Sequence, residues 1–183
     1  MQEDNKAYHM PLENNLKYKL INSDVFITDL DGTFGDLKPL KTIETVYKIL
    51  KHIVQNKGKD YKGEIIHEIY PSFKEFTELI KYDKIIVTRN RPSIVKPLAD
   101  YLGFKDVYYG NSLPESILEK YNYKRITFAG NSKKDEIIFE KLKGKEGQGS
   151  IDYILGIFIG KNEKFDINLH NKDWKPLIEL ICN

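Results

Sequence analysis

The stretch Val25–Thr33, VFITDLDGT, decides how this chain is read. An apolar run of strand length ends at two carboxylates, Asp29 and Asp31, and Gly-Thr follows them. Side chains at i and i+2 of a strand point the same way while the extension lasts. A strand feeding an ordinary surface turn has no need of such a pair, and Gly32 allows the chain to turn sharply behind it.

The same punctuation recurs downstream. KIIVT (84–88) is an apolar, β-branched run ending at Thr88, and RITFAG (125–130) is followed by Asn131 and, four residues later, Asp135. DVYYG (106–110) and DYILGIFIG (152–160) are further strand-like runs. Helical patterns separate them at 72–82, 93–104, 114–122 and 133–144, and a closing helix is predicted over 171–181. Strands alternating with helices predict an α/β fold, a doubly wound parallel sheet covered on both faces. Upstream, residues 1–22 are polar and aperiodic and read as an N-terminal arm. KTIETVYKILKHIVQ (41–55) is an amphipathic helix, NKGKDYKG (56–63) a loop, and 64–69 a short helical piece. The Gly-rich loop at 144–150 follows a helix and lacks the spacing of a phosphate-binding glycine motif.

Composition narrows the function classes. The chain has 183 residues, 40% hydrophobic and 31% charged, which suits one globular domain with a small insertion. A net charge of +2 does not by itself imply a polyanionic partner, and no basic-aromatic stripe marks a nucleic-acid site. The single cysteine, Cys182, excludes an intrachain disulfide and a thiolate metal cluster. The four histidines do not cluster around the strand ends. No apolar run approaches a membrane span, and the N-terminus lacks a secretory pattern, so a cytoplasmic location is expected.

In open α/β sheets the active site lies beyond the carboxyl ends of the strands. If these strands are parallel neighbours, Asp29, Asp31, Thr88, Asn131 and Asp135 converge on one cleft. One carboxylate there could attack phosphorus, and the other could protonate the leaving alkoxide and later deprotonate water. Packed carboxylates call for a cation, and hard oxygen ligands with phosphate chemistry suit Mg²⁺. Thr33 and Thr88 offer hydroxyls and backbone N–H groups to phosphate oxygens.

With these residues in view, the chain resembles the aspartate-nucleophile phosphatases of the haloacid-dehalogenase (HAD) superfamily. VFITDLDGT resembles the first signature of that family, KIIVT the second, and ITFAGNSKKD the fourth, in the expected order over about residues 24–180. IYPSFKEFTELIKYDKIIVTRNRP also resembles the segment leading into the second signature. The resemblance implies a Rossmann-like core from 23–36 and 71–183 and a small helical cap inserted at 37–70. It implies Asp29 as nucleophile and Asp31 as general acid/base. Mg²⁺ would be held by the Asp29 side chain, the Asp31 carbonyl and the fourth signature, Asn131 and Asp135. Thr88 would bind the phosphoryl group.

Two departures matter. Position 131 is Asn where the family usually has Asp, so one formal charge toward Mg²⁺ is missing. The third-signature lysine has no counterpart in YYGNSLPESILEKYNYK (108–124), where Asn111 and Ser112 stand about where it belongs, with Lys120 and Lys124 further on. Arg89 and Arg91, just after Thr88, could take over its task, because Arg binds phosphate through paired hydrogen bonds. Two functions stay open: a Mg²⁺-dependent phosphomonoester phosphatase, or a catalytically weak protein of this fold that binds a phosphorylated ligand or partner. A small cap leaves an open cleft. That suits either a macromolecular phosphate or a small phosphorylated molecule selected with the help of a homo-oligomer partner; a nucleic-acid partner is not expected.

Overall fold

The computed structural model describes residues 12–37, 67–90, 92–110 and 115–183. The helix expected over 41–55, the loop over 56–63 and Arg91 lie outside these residues. In chain order the described elements are α1 (Leu12–Ile21), β1 (Val25–Thr28), β2 (Gly35–Leu37), β3 (His67–Ile69), α2 (Phe73–Leu79), β4 (Asp83–Thr88), α3 (Pro92–Tyr101), β5 (Asp106–Tyr109), α4 (Glu115–Tyr121), β6 (Arg125–Gly130), α5 (Lys133–Lys143), β7 (Tyr153–Ile159), β8 (Ile167–Leu169) and α6 (Lys175–Cys182).

Six strands form one parallel sheet in the order β5-β4-β1-β6-β7-β8. The expected doubly wound α/β architecture is therefore present. From β1 the chain steps outward through β4 and β5, then crosses to the other side of β1 for β6, β7 and β8. Strand order reverses at β1, so the crevice of such a fold opens at the carboxyl ends of β1, β4 and β6.

The strands alternate faces as period-2 geometry requires. Phe26, Ile86, Leu155 and Ile157 join one core layer with Phe73, Phe76, Leu98 and Trp174. Val25, Ile27, Ile85, Ile126 and Phe128 join the opposite layer with Ile117, Phe139 and Leu142. All four residues of β1 are buried, as expected for a strand covered on both faces.

The first core layer contains a cluster of aromatic rings beneath the β1 loop. Phe34 stacks on Phe73 with centroids 4.3 Å apart and also on Phe104, while Trp174 meets Phe26, Phe73 and Phe76. Such rings combine large apolar burial with preferred pair geometry, which anchors the segment that carries them. Phe34 lies one residue beyond Thr33, so the end of the DLDGT loop is fixed from below.

Three local features differ from the sequence reading. Residues 12–21 of the arm form a helix, docked on α6 and β7 with Leu20 fully buried. Of the helical piece expected over 64–69, residues 67–69 are a strand, paired antiparallel with β2. The closing helix starts at Lys175 rather than 171, because Asn171 and Lys172 both have φ near +58°, outside the helical region. Among the described residues, no helix is long and apolar enough to cross a membrane.

Candidate active site

Asp29 is the first residue past β1. Its N–H donates to the Ala129 carbonyl at 3.1 Å, the last rung tying this chain to β6. The Leu30 carbonyl then accepts from Thr33 N–H (3.1 Å) and Phe34 N–H (3.3 Å), which folds DLDGT into a tight loop. Gly32 sits at φ +77° with its N–H directed at Gly35 O and Asp36 Oδ1, both at 3.0 Å. A Cβ on Gly32 would lie 1.9 Å from Asn131 Nδ2. Glycine is required there because the loop after β1 passes directly against the residue after β6.

A second close approach completes the cleft. A Cβ on Gly130 would meet Asp135 Cβ at 2.2 Å, so the first turn of α5 folds back onto the end of β6. Ser132 caps α5: its Oγ accepts from Asp135 N–H, and the Asp135 side chain reaches back to the cap. Asp135 Oδ2 accepts from Asn131 N–H (3.1 Å), Ser132 N–H (2.9 Å) and Ser132 Oγ (2.6 Å).

Asp29, Arg89, Ser132, Lys134 and Asp135 line one cavity of about 50 Å³, closed by Val87, Gly110 and Ile138. The Asp29 carboxyl is pushed up to about 7 by its burial and then by the Asp135 charge. The Leu30 N–H bond and Arg89 pull it down, and Asp31 pushes it up. Like charges and desolvation both disfavour a bare carboxylate, so this is a site that favours an added cation.

Asp31 is exposed beside this cavity and held by an amide. Asn90 Nδ2 donates to Asp31 Oδ2 at 2.7 Å, and the Asn90 N–H donates to Thr88 Oγ1 at 3.1 Å. Thr88 is buried, and its hydroxyl keeps its own proton to donate. Asn90 therefore links the strand-end threonine to the second carboxylate, a role the sequence reading missed between the two arginines of TRNRP.

Thr33 was expected at a phosphate. Its side chain is fully buried, its N–H is used by Leu30 O, and its carbonyl accepts from Trp174 Nε1 at 3.3 Å. Its hydroxyl is the one buried side-chain polar atom without a partner among the described residues. These contacts turn Thr33 into the core and tie it to the loop. Lys120 and Lys124 are at the wrong end of the sheet: Lys120 is in the last turn of α4 and its ammonium lies over Tyr121, while Lys124 immediately precedes β6.

The loop is braced from outside by Asp36. Its Oδ2 accepts from the Tyr70 hydroxyl (2.6 Å) and Lys172 Nζ (3.1 Å), while Oδ1 takes the Gly32 N–H. Burial pushes the Asp36 carboxyl up, but these donors outweigh it and hold it below the ordinary value.

Among the described residues, no three His, Cys, Asp or Glu side chains form a ready-made metal-binding group. Mg²⁺ is usually held by one or two carboxylates together with waters and substrate phosphate rather than by an all-protein cage. The Asp29 carboxylate in the cavity, with the Asn131 amide packed against the loop that follows it, supplies oxygen atoms of the kind that mode uses. Asp135, occupied by its cap, acts on Asp29 mainly through its charge.

Two solved structures share this arrangement of elements. A Vibrio cholerae protein described as a 3-deoxy-D-manno-octulosonate 8-phosphate phosphatase is 15% identical, with a TM-score of 0.53 and coverage of 91% of this chain and 87% of that one. The 3-deoxy-D-manno-octulosonate 8-phosphate phosphatase of Moraxella catarrhalis, whose structure holds a magnesium ion, a phosphate ion and a KDO molecule, is 13% identical. Its TM-score is 0.52, and 92% of this chain and 90% of that one are covered. The chain has the fold of these phosphatases. No protein-family model and no curated protein matches the sequence. On this fold, Asp29 and Asp31 stand on the loop after the central strand, at the topological switch point.

Proposed function

We propose that the protein is a Mg²⁺-dependent phosphomonoester phosphatase that works through an aspartyl-phosphate. The observation that carries this reading is the cavity at the switch point, where Asp29 faces Arg89 with Asp31 alongside. Its volume of about 50 Å³ is far below the roughly 300 Å³ at which ordinary small-ligand pockets begin. It suits a phosphoryl group, with the leaving group outside.

In this mechanism an Asp29 carboxylate oxygen attacks phosphorus as the bond to the leaving oxygen breaks. Asp31 gives that oxygen a proton. Asp31 then takes a proton from water, which attacks phosphorus and releases orthophosphate and free Asp29. Thr88 Oγ and the Arg89 guanidinium hold phosphoryl oxygens. Bound through Asp29, the Asp31 carbonyl and Asn131, Mg²⁺ would neutralise charge on the phosphoryl oxygens. The fold neighbours make a small phosphorylated sugar acid the first substrate class to test.

The weak-binder alternative is favoured by one observation, Asn131 in place of a carboxylate beside Gly32. Hydrolysis of an aryl phosphate with and without Mg²⁺, with Asp29→Asn as control, separates the two. Activity that needs Mg²⁺ and is lost in the variant supports the phosphatase. A folded protein without turnover on aryl and sugar phosphates, and without uptake of beryllium fluoride at Asp29, sinks it.

A further inference from the structure

A phosphoryl group entering the Asp29 cavity brings negative charge to a wall that already holds the Asp29 and Asp135 carboxylates. Two cationic side chains line the same wall, Arg89 from the end of β4 and Lys134 from the first turn of α5. The phase of α5 accounts for Lys134. Ile138, one turn later, also lines the cavity, so residues 134 and 138 present one helix face to it. Lys133 turns elsewhere and pairs with Glu136 at 2.6 Å.

A lysine in the first turn meets the positive end of the helix dipole, an unfavourable arrangement. Lys133 offsets this through Glu136. Lys134 is exposed, and among the described residues no carboxylate pairs with its ammonium, which leaves it available to an anion entering the cavity it lines.

We propose that Lys134 is a catalytic residue that contacts the phosphoryl group and neutralises it during transfer to Asp29, so that α5 supplies the cation missing from the segment before β6. The assignment rests on the phosphatase reading and deepens it.

The test compares Lys134→Ala, Lys134→Arg and Lys133→Ala in the full chain with Mg²⁺. Lys134→Ala lowers kcat/KM for an aryl phosphate by about a hundredfold to a thousandfold, the usual cost of one transition-state donor. It also weakens inhibition by orthophosphate and uptake of beryllium fluoride, read by fluorine NMR. Lys134→Arg restores most of both, and Lys133→Ala stays within about twofold of wild type. Equal thermal midpoints exclude a merely structural loss. An active wild type with Lys134→Ala within threefold of it, and with unchanged orthophosphate inhibition, overturns this assignment alone. A wild type that binds beryllium fluoride without turnover, while Lys134→Ala does not bind it, overturns the phosphatase and retains Lys134 as an anion ligand. A wild type that neither turns over nor binds either anion overturns both.

Discussion

The two ends of the same sheet treat their aspartates in opposite ways. At the amino end, Asp24 accepts from the Arg125 side chain and from the N–H groups of Lys124 and Arg125, and Asp83 accepts from Lys105 and the Tyr123 hydroxyl. Burial pushes both carboxyls up, yet those partners outweigh it and hold both below the ordinary value. At the carboxyl end, Asp29 is set among Asp31 and Asp135 and rises to about 7. Charges that serve only the fold are matched within the protein. The carboxylates at the cleft are left short of cations, as expected where a ligand or metal completes the balance.

The largest effect that would break this contrast is on turnover. Asp29→Asn should lower activity by at least about 10⁴-fold, the scale on which loss of a nucleophile is felt. Asp24→Asn should leave kcat within twofold. A comparable loss in both variants would show that the two ends do not divide into site and scaffold.

The next effect is on stability. Asp29 is raised in the folded state, so its contribution is fully present below about pH 4 and is lost as pH rises through about 7. Between pH 5 and pH 8 this amounts to about 2–3 kcal/mol, at 1.36 kcal/mol per pH unit. Denaturation in EDTA should therefore show Asp29→Asn gaining on wild type by that amount from pH 5 to pH 8, with added Mg²⁺ closing the gap at pH 8. A gap independent of pH would mean that Asp29 is already neutralised by the protein.

Much of this arrangement was legible because it is local. β1, β4, β6 and β7 are buried on both faces and read as continuous apolar runs, and their alternation with helices yields the sheet. What was not legible depends on partners distant in the chain. β8 has three residues and exists by pairing with β7. The strand at 67–69 is defined by Gly35–Leu37, some thirty residues earlier. α1 is weakly amphipathic, and its order comes from docking on α6 and β7. In the site, Asp29 and Asp135, each placed after an apolar run, line one cavity, and Asn131 packs against the loop after β1. The burial of Thr33 was not legible because it depends on Trp174, 141 residues away, which donates to its carbonyl. Lys134 was overlooked because spacing from a strand does not give the phase of the helix that follows.

The amino end provides the third test. Asp24→Ala removes the acceptor of two backbone N–H groups and of Arg125. It should cost about 1–2 kcal/mol of stability by denaturant titration, with kcat unchanged. A stability cost below a few tenths of a kcal/mol would mean that solvent satisfies these donors as well as Asp24 does.

The smallest effect sharpens the picture at the cleft. Asn90 touches both Thr88 and Asp31: its N–H donates to Thr88 Oγ1 and its side chain to Asp31 Oδ2. A hydrogen bond to a charged group is worth about 1.5 kcal/mol, or roughly tenfold in rate if it acts only in the transition state. Asn90→Ala should therefore lower kcat for an aryl phosphate about tenfold with KM little changed, because in the proposed mechanism Asp31 handles the leaving-group proton and does not bind substrate. Asn90→Asp keeps the shape but sets two carboxylates against each other, and should cost more than the alanine variant. If both variants raise KM while kcat holds, Asn90 belongs to substrate binding. The pairing of Asp31 would then be a resting contact, with the orientation of the acid set by Gly32 and the loop bonds around it.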